Sequence, residues 1–319
     1  MKPRATKSYY ASWAIIALLL LVAVFGGWLK PHGISQQDKI NLIPTTVDGK
    51  LKYEKPPFPP GTKFIFGSDH RGFDMLSLLL NGFKYTMGTA LALTLLRFCF
   101  ALPWGLWSGV TGRTSGALRT LQWVISAVPA FLFLFPPLYG MYFGLRLNFG
   151  AKANPQHLLT FTVLYFAMIA FLGIFPLAYQ IAQRAKYYNE KLYVEASRLM
   201  GGGVLHTMRR HLMPGMRLEL MFLFLTEFVQ VLFLIGQLAV FHICIGGSET
   251  LEWDLFVDYF IPITTTGEWT ALIAYGSTYI RLYPWIIISS GTCFAAVILA
   301  LQFWIAQLKK RYGGTATVR

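Results

Sequence analysis

The chain has 319 residues, of which 55% are hydrophobic, 16% aromatic and only 13% charged. So much apolar surface is hard to hide in a soluble core of this length, so the composition excludes an ordinary soluble enzyme and indicates an all-α integral membrane protein. The formal charge of +14 would suit a nucleic-acid partner, but the basic residues cluster in short loops between apolar runs, where they set membrane orientation instead.

No Gly-x-x-x-x-Gly-Lys-Ser/Thr sequence occurs, so a phosphate-cradling loop is not encoded, and ATP, if it drives this protein, binds to another subunit. Cys99, Cys244 and Cys293 lie in or beside apolar segments without CxxC spacing, which implies neither a disulfide framework nor a metal site. In chain order, residues 1–11 carry Lys2, Arg4 and Lys7 and are expected in the cytosol. Residues 12–29 are about as long as the ~20 residues that a membrane crossing requires. Gly26 and Gly27 would also suit a cleaved signal peptide, but the run continues to Trp28 and lacks an Ala-x-Ala site, so an uncleaved span is expected.

Residues 30–84 form an expected extracytoplasmic loop, too proline-rich over 55–61 for a helix or a central strand. Its Lys39, Lys50, Lys52, Lys55 and Lys63 run against an outside placement. Long loops weigh little in the charge rule, however, and Asp38, Asp48 and Glu54 offset them. Further on, Gly67, Asp69, Gly72, Asp74, Ser77 and Gly82 follow the pattern Gly-x-Asp-x-x-Gly-x-Asp-x-x-Ser-x-x-x-x-Gly. Asp74 is placed to cap a short amphipathic surface helix starting at Met75, and Gly72 suits the turn before it. This pattern resembles the segment before the second span in ABC importer permeases of the dipeptide, oligopeptide and nickel (DppC/OppC-like) family, although Phe73 and Leu78 stand where that family has arginines.

A five-helix core is expected over 85–308, with spans at 85–110, 120–145, 158–181, 220–245 and 283–308. Pro129, Pro136 and Pro137 should kink the third of the chain's six spans, and Pro176 lies near the inner end of the fourth. The interruption at 184–218 carries Arg184, Lys186, Lys191, Arg198, Arg209, Arg210 and Arg217 against Glu190 and Glu195, which places it in the cytosol. A helix is expected over 189–200 with an apolar face of Leu192, Val194 and Leu199. It should stop at Gly201-Gly202-Gly203, and a second helix should run from Val204 to Met213, before Pro214. The order Glu195-Ala196-Ser197, Gly201, His211-x-Met213-Pro214 resembles the EAA loop of ABC importer membrane subunits. That motif reads Glu-Ala-Ala, three residues, Gly, nine residues, Ile-x-Leu-Pro, so Ser197, His211 and Met213 are replacements. An ordinary helical hairpin is the alternative reading. The next loop is acidic, with Glu249, Glu252, Asp254, Asp258 and Glu268 before Arg281, as expected outside. Residues 269–276 and Pro284-Trp285 resemble the short surface helix and the start of the last span in the same family. Lys309, Lys310 and Arg311 should hold the tail, 309–319, in the cytosol with the N-terminus.

Arg97 and Glu227 fall inside spans, where an unpaired charge costs roughly 2.5–3.5 kcal/mol, so both need partners or water. They are expected to face the bundle interior near a pathway or to pair with each other. His242 and Gln237 stand where a pore could be lined, though packing is the default for a lone histidine near the end of a span, and His206 and His211 default to solvated surface. No catalytic constellation rises above chance spacing. The family resemblance implies a type I permease fold in the cell membrane, working by alternating access beside a second permease subunit, two ABC ATPases that hold ATP and Mg, and an external substrate-binding protein. It implies membrane lipid around the chain, no nucleic acid, no cofactor or catalysis of its own, and coupling to the ATPases through Glu195, Ala196, Ser197, Gly201, His211 and Pro214. The cargo would be peptides, with nickel or another small solute as alternatives. The long loop after the fifth span and the ending Gln307-Leu308-Lys309-Lys310-Arg311 depart from the family. Two other classes remain open: a secondary transporter or channel, against which no internal repeat is found, and a non-transporting membrane protein on the same fold.

Overall fold

A computed structural model of the chain describes all residues except 1–6, 36–37, 41, 48–49, 113–115, 148–154, 246–250, 255–256, 260–263, 265 and 314–319. Lys2, Arg4, Asp48, Arg113 and Glu249, on which part of the orientation reading rests, lie outside the described residues. Five helices are long and apolar enough to cross a membrane: α1 (Lys7–Leu29), α2 (Met75–Thr111), α5 (Pro155–Asn189), α9 (Arg217–Val240) and α11 (Pro284–Tyr312). A further pair of helices passes the same test of length and apolarity only when taken together. Helices α3 (Gly116–Ala127) and α4 (Ala130–Leu147) meet at 81° across Val128 and Pro129, because proline removes a backbone donor and biases the preceding residue away from the helical region. Pro136 and Pro137, by contrast, sit inside an uninterrupted α4.

Two expectations change here. Residues 75–84 are not a separate surface helix: they are the first turns of α2, which runs unbroken for 37 residues. The first loop also holds a two-stranded antiparallel hairpin, β1 (Ile43–Val47) with β2 (Lys50–Glu54), and the late loop another, β3 (Leu251–Asp254) with β4 (Val257–Tyr259). Large apolar side chains such as Leu18, Leu20 and Val24 on α1 stay exposed, as a helix surrounded by lipid requires. The interior is one large cluster joining α2, α4, α5, α9, α11 and the short α10 (Trp269–Thr278), with a second cluster at the far end, around Leu106, Ile181 and Leu212.

The family-like segment before α2 builds a clamp. Asp69 Oδ1 accepts from the backbone N–H groups of Arg71 (3.0 Å) and Phe73 (2.8 Å), and Arg71 donates onward to the Thr264 carbonyl at 2.7 Å. Burial pushes the Asp69 carboxyl up from its ordinary value against the pull of Arg71. Asp74 caps α2 as expected, accepting from the N–H groups of Leu76 and Ser77 and from the Ser77 hydroxyl at 2.8 Å. Gly67 and Gly72 take positive φ at the turns. His70 packs between Tyr275 and Tyr279, and its burial brings the imidazole down to about 4, so it is neutral at neutral pH.

Helix α10 is buried in the bundle from Trp269 to Gly276. Glu268, one of the acidic residues of the loop expected outside, is its buried N-cap, bonded to the N–H groups of Thr270 and Ala271 and to Thr86. Asn81 donates to the Thr266 carbonyl and Trp269 to the Leu79 carbonyl. The two backbones approach so closely that a Cβ on Gly82 would fall 1.6 Å from the Gly267 carbonyl oxygen. Gly82→Val is therefore expected to abolish recovery of monodisperse protein after detergent extraction. Gly88→Val, on the same helix with open space at that position, should be tolerated. Equal recovery of the two would contradict this packing.

Candidate functional site

The loop between α5 and α9 forms a compact helical knob. Helix α5 continues to Asn189, and α6 (Leu192–Leu199) follows after a two-residue turn. The chain reverses at Gly201, with φ +90°, and returns through α7 (Val204–His206), a π-helical stretch (Thr207–Leu212) and α8 (Met213–Gly215). Such π-helical turns are rare and are often found at functional sites. Of the apolar face expected on α6, only Val194 is buried. Leu192 and Leu199 are 82% and 86% exposed, and Met200 and Leu205 also face outward. Glu195, Ala196, Gly201 and Pro214 lie on the exposed side as well. The inner side is fixed to the bundle: Leu212 and Met216 are fully buried against the ends of α2, α5 and α9, and Arg198 donates to the Val110 carbonyl at 3.3 Å.

Ser197 and His211, two of the replacements in the EAA-like pattern, touch each other. Ser197 Oγ lies 2.9 Å from His211 Nε2, and the His211 ring also packs near Tyr193 and His206. The default of a solvated His211 is thus overturned, because its ring bridges the outgoing and returning arms of the knob. His206 is exposed, as its default predicts. A polar contact here stands where the pattern has Ala and Ile, so Ser197→Ala and His211→Ile singly are each expected to loosen the knob. The double variant should recover, read as protection of Arg209 and Arg210 from limited trypsin cleavage. A double variant cleaved as fast as the singles would contradict the pairing.

The second site lies inside the bundle. Arg97 of α2 and Glu227 of α9, both buried, form an ion pair, and Arg97 also donates from Nε (3.2 Å) and Nη2 (2.8 Å) to the Ile169 carbonyl of α5. One side chain therefore joins three spans. It fits because α5 has glycine opposite: a Cβ on Gly173 would stand 2.2 Å from the guanidinium carbon. The sequence reading did not single out Gly173, and only its position four residues after Ile169 on one helix face could have signalled it. The pair borders an open cavity of about 570 Å³, reached also by Pro129 at the α3–α4 break and by Pro176 and Gln237. Gln237, which stood where a pore could be lined, lines this cavity, and His242, at φ 61° after α9, is not among its lining residues. Removing one member leaves an uncompensated buried charge. Arg97→Met or Glu227→Met should each lower stability by about 3–5 kcal/mol, with much of it regained in Arg97→Met/Glu227→Met, read by thermal unfolding in detergent. Additive losses in the double variant would contradict the coupling.

Comparisons with known proteins agree with this architecture. The family described as "Binding-protein-dependent transport system inner membrane component" matches residues 101–313, which contain the knob, Glu227 and the last span. The peptide transport system permease protein SapC of Escherichia coli O6:H1 is 27% identical over 288 residues, covering 89% of this chain and 82% of SapC. The di/tripeptide transport system permease protein DppC of Pseudomonas aeruginosa is 23% identical over 315 residues, covering 94% and 89%. A putative peptide transport system permease protein of Brucella suis is 22% identical over 300 residues, covering 93% and 84%. With a match over most of its length and five helices long and apolar enough to cross a membrane, the chain belongs to the family of binding-protein-dependent transport system inner membrane components.

Proposed function

We propose that this chain is a permease subunit of an ATP-driven peptide importer in the cell's inner membrane, coupled to its ATPase through the α6 knob. The observation that carries the reading is the two-sided construction of that knob. Leu192, Leu199 and Met200 project freely, while Leu212 and Met216 on the inner side are locked into the ends of α2, α5 and α9. Exposed apolar side chains at the tip of a basic loop are suited to a protein groove, since water offers them nothing. The positive residues around the knob, with Lys309, Lys310 and Arg311 on α11, favour a cytosolic placement of this end and of both termini.

ATP and its Mg would belong to the ATPase subunits, two per assembly, with a second permease subunit completing the pathway and an external binding protein delivering cargo. On this reading the present chain performs no hydrolysis. When the ATPases close, they displace α6. Glu195, Ala196 and Gly201 lie on the surface they would hold, and Pro214 sits in the returning arm. Movement passes through Leu212 and Met216 into α5 and α9, which carry the Ile169 carbonyl and Glu227, and the cavity between them widens or narrows. The names borne by SapC and DppC support a peptide cargo.

The pair Leu192→Asp/Leu199→Asp leaves the buried side untouched, so the permease should still fold. It is expected to lose the ATPase on mild-detergent co-purification and to lose vanadate-sensitive, cargo-stimulated turnover by at least about tenfold, the scale of a 1.4 kcal/mol loss in the contact. Full retention of both would overturn the coupling role.

A further inference from the structure

Four glutamines mark the walls of the cavity around the ion pair: Gln180 on α5, Gln230 and Gln237 on α9, and Gln302 on α11. All four lie inside helices long and apolar enough to span a membrane, and Gln180, Gln230 and Gln302 are exposed on the isolated chain. None of the four side chains has a hydrogen-bond partner among the described residues. In hydrocarbon an unsatisfied amide is strongly disfavoured, so this face of the bundle does not look onto lipid.

Their heights form a ladder. Gln180 is seven residues beyond Gly173 on α5, about 10 Å toward the knob at 1.5 Å per residue, and Gln237 is ten residues beyond Glu227 on α9, about 15 Å the other way. Gln302 lies eight residues past Phe294, which packs on Gly236, and so falls near the level of the ion pair. Together they span about 25 Å of a hydrocarbon core of roughly 30 Å. A second cavity, of about 670 Å³, shares Gln180 and continues toward the knob along Arg184 and Glu219.

We propose that these glutamines are the cargo-contacting groups of the pathway and that they read the main chain of an extended peptide. A carboxamide donates and accepts at once, as a peptide unit does, and carries no charge. The charged groups at the first cavity, Arg97 and Glu227, neutralise each other, and apart from Ser126 the remaining lining residues are apolar. Such a surface offers successive hydrogen bonds to a backbone and does not discriminate between acidic and basic side chains. This rests on the peptide reading above.

The test uses the complete assembly in proteoliposomes, with uptake of Ala-Ala-Ala, Ala-Lys-Ala, Ala-Glu-Ala and Ala-Ala-Ala N-methylated at both peptide nitrogens. Gln230→Leu and Gln237→Leu are expected to slow the three unmodified peptides alike, by about fivefold each, and to leave the already slow N-methylated peptide unchanged. Gln230→Glu is expected to create a preference for Ala-Lys-Ala over Ala-Glu-Ala that the wild type lacks, and co-elution with the ATPase checks that each variant is assembled. Wild-type rates in both leucine variants, or a Gln230→Glu variant without charge preference, would overturn the ladder while leaving the peptide reading intact. A wild-type assembly that takes up none of these peptides would overturn both.

Discussion

The contact of Arg97 with Glu227 and the Ile169 carbonyl is the constraint on which the rest of this molecule depends. Near the knob, Arg184 and Tyr188 of α5 also bond Glu219 of α9, and Asn189 of α5 bonds the Val110 carbonyl of α2, but midway along the bundle the three spans are joined at this one polar point. Lipid-embedded helices gain little from hydrophobic association, because the solvent is as apolar as the side chains, so a buried and fully paired charge has unusual authority over their register. The arginine also requires a glycine across from it, which makes Gly173 part of the same device.

The two ends of the bundle are built in different ways. At the α10 end, several polar side chains are satisfied inside the chain: Asp69 closes a turn, Asp74 and Glu268 cap helices, Asn81 ties α2 to the Thr266 carbonyl, and the close approach at Gly82 leaves no slack. At the knob end, apolar side chains are left exposed and the backbone includes a π-helical stretch. One end holds its shape with internal hydrogen bonds, and the other presents a surface. The ion pair lies between them, beside a cavity that both ends can influence through α2, α5 and α9.

Much of this was legible in the amino-acid order. The spans follow from apolar runs, the break after α6 from Gly201-Gly202-Gly203, and the cap on α2 from Asp74. What was hidden depended on distant contacts. Asn81 and Gly82 look like the end of a surface segment, yet α2 passes straight through them, with Thr266 bonded to Asn81 and Gly267 packed on Gly82. Glu268 reads as a loop acid until Thr86 is seen beside it. On α6, helical spacing grouped Leu192, Val194 and Leu199, but the bundle takes only Val194. Ser197 and His211 look like unrelated departures from a motif until the returning arm brings them to 2.9 Å. The glutamines of the pathway show no pattern within one helix, because their order exists only across α5, α9 and α11.

The central claim is that the ion pair makes α2, α5 and α9 move as one lever from the knob to the cavity. Spin labels on cysteines introduced at Phe171 of α5 and Leu299 of α11, both exposed, in a background lacking Cys99, Cys244 and Cys293, would report the separation across the cavity. Pulsed electron resonance on the full assembly, nucleotide-free and trapped with ATP and vanadate, should show this separation change by several ångströms. The change should shrink when Arg97→Met removes the mid-bundle tie and leaves only the Arg184 and Tyr188 contacts to Glu219 between α5 and α9. An unchanged separation in the intact assembly, or the same change in the Arg97→Met variant, would contradict the account.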